Sequence, residues 1–289
     1  KMLSSPTTAR KGNLISFIGM SFAVTTTLLI VDYDLDSIVF ISSGIIVGGI
    51  IGLIFAKKVQ MTSMPQMVAI FNGLGGLASS LIAFSEIIKS DTSISLNIIS
   101  ISIFISILIG SVTFSGSITG FLKLQSLITG KPILLPLRNY LNFILLISII
   151  GLMVASFFYN EQTLIFYILI GSCLLLGILI VLPIGGADMP VVIALLNSYS
   201  GIVAAFTGFI FSNIALIISG SLIGASGLIL TRIMTKAMNR SLANVILGGF
   251  GATKENSVDE ASDKSYKSGS SDDVASLLEY SENIIIVPG

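Results

Sequence analysis

Apolar runs of about 20 residues recur along most of this chain, separated by short polar breaks, and they constrain its fold more than any other feature. A helix of that length spans a bilayer core, and within lipid the backbone N–H and C=O groups must satisfy one another inside the span. Eight runs are expected to be helical, over approximately 13–31, 38–56, 66–88, 97–122, 140–158, 164–182, 190–210 and 214–234. Hydrophobic residues make up 53% of the 289 positions and charged residues only 10%, with a mean hydropathy of +0.98, which excludes a soluble globular chain. The expected fold class is all-α integral membrane, a polytopic bundle of about eight transmembrane helices. The first run is span-length and lacks a small-residue cleavage pattern, so it reads as a helix and not as a leader.

The few charges matter by their placement. Lys and Arg total 15 and Asp and Glu total 15, so no overall basic surface for nucleic acid exists. Alternate breaks nevertheless differ sharply. Lys1, Arg10, Lys11, Lys57, Lys58, Lys123, Lys131, Arg138, Arg232, Lys236 and Arg240 fall on one side, and Lys89 alone on the other, which carries Asp32, Asp34, Asp36, Glu86, Asp91 and Glu161. Basic residues are retained on the cytoplasmic or matrix side, so both termini are expected there. A single Cys, Cys173, excludes an internal disulfide framework and a Cys-rich metal site, and the absence of His removes the commonest metal ligand and proton shuttle.

The expected organisation is an inside amino-terminal segment over 1–12, the membrane bundle over 13–234 and a juxtamembrane segment over 235–251. Residues 252–273, rich in Ser, Lys, Asp and Glu, read as a tether that cannot bury enough apolar surface to order itself. Over 274–289 a short helix started by Ser271, with Val274, Leu277 and Leu278 on one face, and a strand over 283–289 read as the start of an α/β domain that is cut off.

Within the spans, small residues at four-residue spacing (Gly44, Gly48 and Gly52; Gly116 and Gly120; Gly220 and Gly224) are expected to be packing surfaces. Intramembrane polar groups are costlier and carry the functional reading. Asn72 on the third span and Asn197 on the seventh lie at matching depths, roughly 7 to 12 Å from the basic side. Ser111, Thr113, Ser115, Ser117 and Thr119 of the fourth span reach a similar level. One reading is helix–helix or back-to-backbone hydrogen bonding. The other is a water-lined half-channel opening toward the basic side. Asp188 lies in the tight loop before the seventh span, where either the helix dipole stabilises its charge or, with Arg240, it forms a surface for a docked domain.

The segments Met-Pro-Gln-Met-Val-Ala-Ile-Phe-Asn-Gly (64–73), Gly-Gly-Ala-Asp-Met-Pro-Val-Val (185–192), Leu-Asn-Ser-Tyr-Ser-Gly (196–201), Gly-Ser-Leu-Ile-Gly-Ala-Ser-Gly (220–227) and Lys-Ala-Met-Asn-Arg-Ser-Leu-Ala-Asn-Val-Ile-Leu-Gly-Gly-Phe-Gly (236–251) closely resemble proton-translocating NAD(P) transhydrogenase, in the beta-subunit half of its membrane domain. The resemblance extends over essentially the whole chain. It implies hydride transfer between NADH and NADP⁺ coupled to proton flow across a bacterial plasma or mitochondrial inner membrane. It further implies an alpha-type partner carrying the NAD(H)-binding domain I and further membrane helices, an NADP(H)-binding domain III, and a dimer of the complete enzyme.

On this chain the resemblance places the proton channel at Asn72, Asn197 and Ser117, and the domain III interface at Asp188 and Arg240. Gly289 would be the first glycine of the NADP(H) pyrophosphate turn. NAD(H) and NADP(H) would bind on segments absent here, with no metal and no hydride-transfer site in this chain. Two departures are visible. Some members carry a titrating histidine where this chain has Asn72, so a histidine from another helix, or water alone, must carry the proton. The family's beta half also has one more helix before the region matching Ser4 to Gly12. The alternative class is a secondary transporter or ion channel with a polar binding layer, although no repeated half with a paired broken helix is visible; a purely structural membrane subunit is the third reading.

Overall fold

The computed structural model describes residues 5–30, 34–89, 97–158, 162–239, 241–246, 271–282 and 284–285. Eight helices are long and apolar enough to cross a membrane, and no strand occurs among the described residues. They are α1 (Pro6–Ile30), α2 (Leu35–Lys58), α3 (Met64–Lys89), α4 (Ile98–Leu124), α5 (Arg138–Ala155), α6 (Gln162–Val181), α7 (Met189–Ile210) and α8 (Ile214–Ala237). Two short helices follow, α9 (Leu242–Ile246) and α10 (Ser271–Glu279). The expected all-α polytopic class is therefore the observed one. Helix α1 begins at Pro6, earlier than hydropathy suggests, because Pro at a first helical position loses no needed N–H.

The chain divides into two compact units, Lys1–Met64 and Pro65–Gly289. In the first, α1 and α2 form a hairpin whose facing side chains include Ala23, Thr27, Ile41 and Ile45. Asp34 caps α2 by accepting from the Ser37 N–H at 3.3 Å. That hydrogen-bonding holds the exposed Asp34 carboxyl below its ordinary range. None of the residues of α2 is buried, and a Cβ added at Gly44, Gly48 or Gly52 meets no atom within 4 Å. Among the described residues, the expected packing stripe of α2 has no partner.

The second unit is built around α4, which buries fifteen of its residues, Ser, Thr and Gly prominent among them. Small residues there allow neighbouring backbones to approach without burying bulky polar groups. At the α3–α4 crossing, a Cβ on Gly76 would lie 2.8 Å from the Gly110 carbonyl oxygen. A Cβ on Gly116 would come within 3.1 Å of Val181 on α6 and 3.4 Å of Leu196 on α7. On α7 and α8, Gly201 packs on Gly224 and Gly220 on Ala205, while Ser198 Oγ donates to the Gly224 carbonyl at 2.6 Å. The expected stripes of α4 and α8 are thus packing surfaces.

Away from the basic loops, Ala83, Phe104, Ile107, Phe166 and Cys173 form an apolar cluster, with the Phe104 and Phe166 rings stacked at 5.5 Å. The turn between α7 and α8 places Ser212 at φ 52°, and Asn213 caps α8 by accepting from Leu216 N–H at 3.0 Å. Helix α10 spans Ser271–Glu279, so Ser271, expected as its cap, is its first residue and the helix takes in positions 271–273 of the expected tether; Val274, Leu277 and Leu278 are exposed. The tether lies largely outside the described residues, as does the expected strand, of which Ile284 and Ile285 are described without regular structure.

Candidate functional site

A polar layer joins three helices of the second unit. Asn72 Nδ2 on α3 donates to Ser117 Oγ on α4 at 2.9 Å, and Ser200 Oγ on α7 donates to Asn72 Oδ1 at 2.8 Å. The amide thereby uses its donor and acceptor ends on two different helices, which leaves its orientation little freedom. Asn72 is 8% exposed and Ser117 fully buried, while Ser200 is partly open. From the helix ends on the basic side, these positions lie roughly 10 to 16 Å into the membrane at 1.5 Å per residue.

The remaining α4 hydroxyls divide between the two readings the sequence left open. Ser115 Oγ donates back to the Ser111 carbonyl at 3.0 Å and Thr119 Oγ1 to the Ser115 carbonyl at 2.8 Å, so these two satisfy themselves on their own helix. Ser111 instead pairs with Ser80 on α3 at 2.9 Å. Thr113 Oγ1 and Ser106 Oγ are buried with no hydrogen-bond partner among the described residues, which is costly unless water reaches them.

Asn197 is not part of this hydrogen-bonded layer; it is exposed on α7. Three residues of α-helix turn the chain by about 300°, so Asn197 sits some 60° around α7 from Ser200. The polar layer therefore grades outward, from buried Ser117 through Asn72 and Ser200 to exposed Asn197. Asn72 and Ser117, two of the three expected channel positions, are hydrogen-bonded to each other. Ser200 was overlooked, although it lies within the same Leu-Asn-Ser-Tyr-Ser-Gly segment, three residues beyond Asn197.

Beneath the layer, the loops of the basic end are tied together. Gly186 N–H donates to the Gly130 carbonyl at 2.8 Å, Ile133 N–H to Leu182 at 3.3 Å, and Gln66 Nε2 to Leu124 at 3.3 Å. Pro190 sits in the first turn of α7, as expected. Asp188 occupies the N-cap position of α7, but its side chain makes no capping hydrogen bond there. An open cleft lined by Arg232, Thr235, Lys236, Asn239, Ser241 and Leu242 borders the end of α8. Arg240 and Gly289 lie outside the described residues. Among the described residues, no group of three or more His, Cys, Asp or Glu side chains comes together to hold a metal.

The family model for the NAD(P) transhydrogenase beta subunit matches residues 1–289. The chain belongs to that family. It is 43% identical over 298 aligned positions to the NAD(P) transhydrogenase subunit beta of Rhodospirillum rubrum, covering 99% of this chain, and to the same subunit from a designated strain of that organism at the same identity and coverage. The chain spans 63% of the length of these relatives. Family membership and the eight apolar helices together make it an integral membrane protein.

Proposed function

We propose that this chain is the proton-conducting membrane part of an NAD(P) transhydrogenase, with the polar layer of Asn72, Ser117 and Ser200 as its route. The observation that carries the reading is the bridge made by Asn72: one intramembrane amide bonded to hydroxyls on two other helices, next to exposed Asn197. Side chains of this kind order water and pass protons along it without titrating near neutral pH. The cluster around Phe104, Ile107 and Phe166 supplies an apolar seal beyond the layer, so the route is a half-channel with access from the basic side. That side faces the cytoplasm or matrix, and both termini with it.

In the complete enzyme an alpha-type partner provides domain I, which binds NAD(H), and further membrane helices that cover the Asn197 face of α7. One of those helices supplies the histidine this chain lacks. Residues 274–289 begin domain III, with Gly289 opening its NADP(H) turn. Hydride transfer between NADH and NADP⁺ is carried by the other parts of the enzyme, which acts as a dimer. Asp188 and Arg240 face domain III and report channel occupancy to it. This is linkage: proton flow drives the reaction because protonation changes the relative stability of the domain III states.

The test is proton uptake by proteoliposomes containing the complete enzyme with Asn72→Leu or Ser117→Ala. Ser117→Ala removes one hydrogen bond of the layer and Asn72→Leu removes two, each worth ~1 kcal/mol, so pumping is expected to fall about tenfold or more. Hydride exchange between pre-bound nucleotides continues. Pumping at the unaltered rate in both variants overturns the proposal.

A further inference from the structure

Lys123 is only 2% exposed, although it belongs to a helix end where lysines ordinarily extend into water. Its Nζ donates to the carbonyls of Leu182 and, at 2.7 Å, Ile184, with a longer contact of 3.4 Å to the Lys131 carbonyl. Carbonyl oxygens only accept, and three of them around one nitrogen call for all three protons of an ammonium. Burying such a charge without a carboxylate is expensive, and an apolar residue would end α4 at lower cost.

The position suggests what the charge is for. Lys123 lies six positions beyond Ser117 on the same helix, about 9 Å along the axis. Its acceptors Leu182 and Ile184 lead through Gly185 and Gly186 directly to Asp188. Because Ile133 donates to Leu182 and Gly186 to Gly130, the α4–α5 and α6–α7 connections are bound to the same anchor. The one buried ammonium of this loop cluster thus stands between the polar layer and the loop that carries Asp188.

We propose that Lys123 is a positioning residue that couples occupancy of the polar layer to the Asp188 loop. This rests on the proton-route reading above. An excess proton in the layer and the fixed ammonium repel one another through a medium of low dielectric. The ammonium is held only by the carbonyls of the two connections, so repulsion loosens its hold on Leu182 and Ile184. The loop ahead of α7 then moves. In the reverse sense, a loop position that tightens this hold disfavours a proton in the layer. Lys131 on the α4–α5 connection, Arg138 at its far end and Asp188 ahead of α7 are charged residues on the segments tied to this end of α4; Gln66 of α3 reaches Leu124 as a neutral group, and the titratable Tyr199 of α7 packs on the same apolar cluster as Leu124. All of these stay unchanged when residue 123 alone is replaced.

The experiment compares Lys123→Met, Lys123→Gln and Lys123→Arg in the complete reconstituted enzyme, recording proton-coupled hydride transfer against pH. Removing a positive charge favours protonation of the layer, so the neutral variants should move the midpoint upward by roughly half a unit. They should also pump several-fold fewer protons per hydride transferred. Lys123→Arg should keep the midpoint and most of the coupling. A purely structural role predicts equal impairment in the Arg and neutral variants with no shift in midpoint, and that result overturns the inference. Should Lys123→Met not assemble, Lys123→Gln, which retains two donors, reads the charge by itself. If Asn72→Leu or Ser117→Ala lowers pumping while the neutral Lys123 variants behave as the unaltered enzyme, this inference fails and the proton route stands; if Asn72→Leu and Ser117→Ala both pump normally, the route itself fails.

Discussion

Asn72 on α3 donates to Ser117 on α4 at 2.9 Å, and this contact helps to join two helices whose backbones also cross at Gly76 and Gly110. The close crossing positions the amide, since its reach to Ser117 depends on α3 and α4 being separated by no intervening side chain. Asn72 then has its carbonyl oxygen free to receive Ser200 from α7. Packing and chemistry are therefore coupled at this point of the molecule.

Asn72→His should be tolerated, because an imidazole offers a donor and an acceptor on opposite sides of its ring, as the amide does. It places a titrating group in the layer. Proton-coupled activity should then show a further titration, beyond that of the unaltered enzyme, near the ordinary histidine range of ~6.5. A pH profile identical to that of the Asn72 enzyme would show that this position does not meet the transported proton.

Asn197→Leu removes an amide exposed on α7, so folding stability should change by no more than about 0.5 kcal/mol. Proton pumping in the complete enzyme should nevertheless fall, since the exposed amide is the outermost member of the graded polar layer. Thermal unfolding and pumping measured on the same preparation separate the two effects. Unchanged pumping would take Asn197 out of the route.

Asp188→Asn keeps the size of the side chain and removes its charge. Release of NADP(H) from the complete enzyme should change more than NAD(H) affinity, as measured by stopped-flow and equilibrium binding. A selective effect on NAD(H) would count against Asp188 facing domain III.

Gly76→Ala and Gly48→Ala should differ strongly. A Cβ at Gly76 would lie 2.8 Å from a backbone carbonyl oxygen and 3.0 Å from Thr113 Cβ, whereas a Cβ at Gly48 meets nothing within 4 Å. Overpacking at the first site should cost ~1–3 kcal/mol and loosen the Asn72–Ser117 contact. Alanine at the second should be neutral or mildly favourable, through helix propensity. Thermal unfolding of the purified chain in detergent checks both.

Asp34 gives a pH dependence of known sign. Its folded pKa lies below the ordinary value of 3.8, so the cap stabilises α2 fully above that value. The contribution is lost as pH falls through the lowered folded value. Asp34→Asn retains an acceptor for the Ser37 N–H and should remove this acid sensitivity. NMR titration of the carboxyl carbon gives the pKa directly; a value at or above 3.8 would contradict the capping geometry.

The spans were legible in the sequence because lipid leaves little freedom. An apolar run of span length satisfies its own backbone as helix whatever its neighbours do, and so α2, α4 and α7 fall close to where hydropathy puts them. Family membership was legible too, since ordered segments such as 185–201 and 236–251 match the family over runs far longer than a short motif. The depths of Asn72, Ser117 and Asn197 followed from helical rise alone. Their partners did not. Depth says nothing about which way a side chain points around its helix, and that azimuth is set by how helices cross. Tertiary structure brought Ser200 to Asn72 and left Asn197 exposed, because the Gly201–Gly224 and Gly220–Ala205 contacts with α8 fix the rotation of α7. Lys123 makes the same point: along the sequence it is one more basic residue at a helix end, and only the return of Leu182 and Ile184 to the end of α4 buries it as an ammonium held by carbonyls.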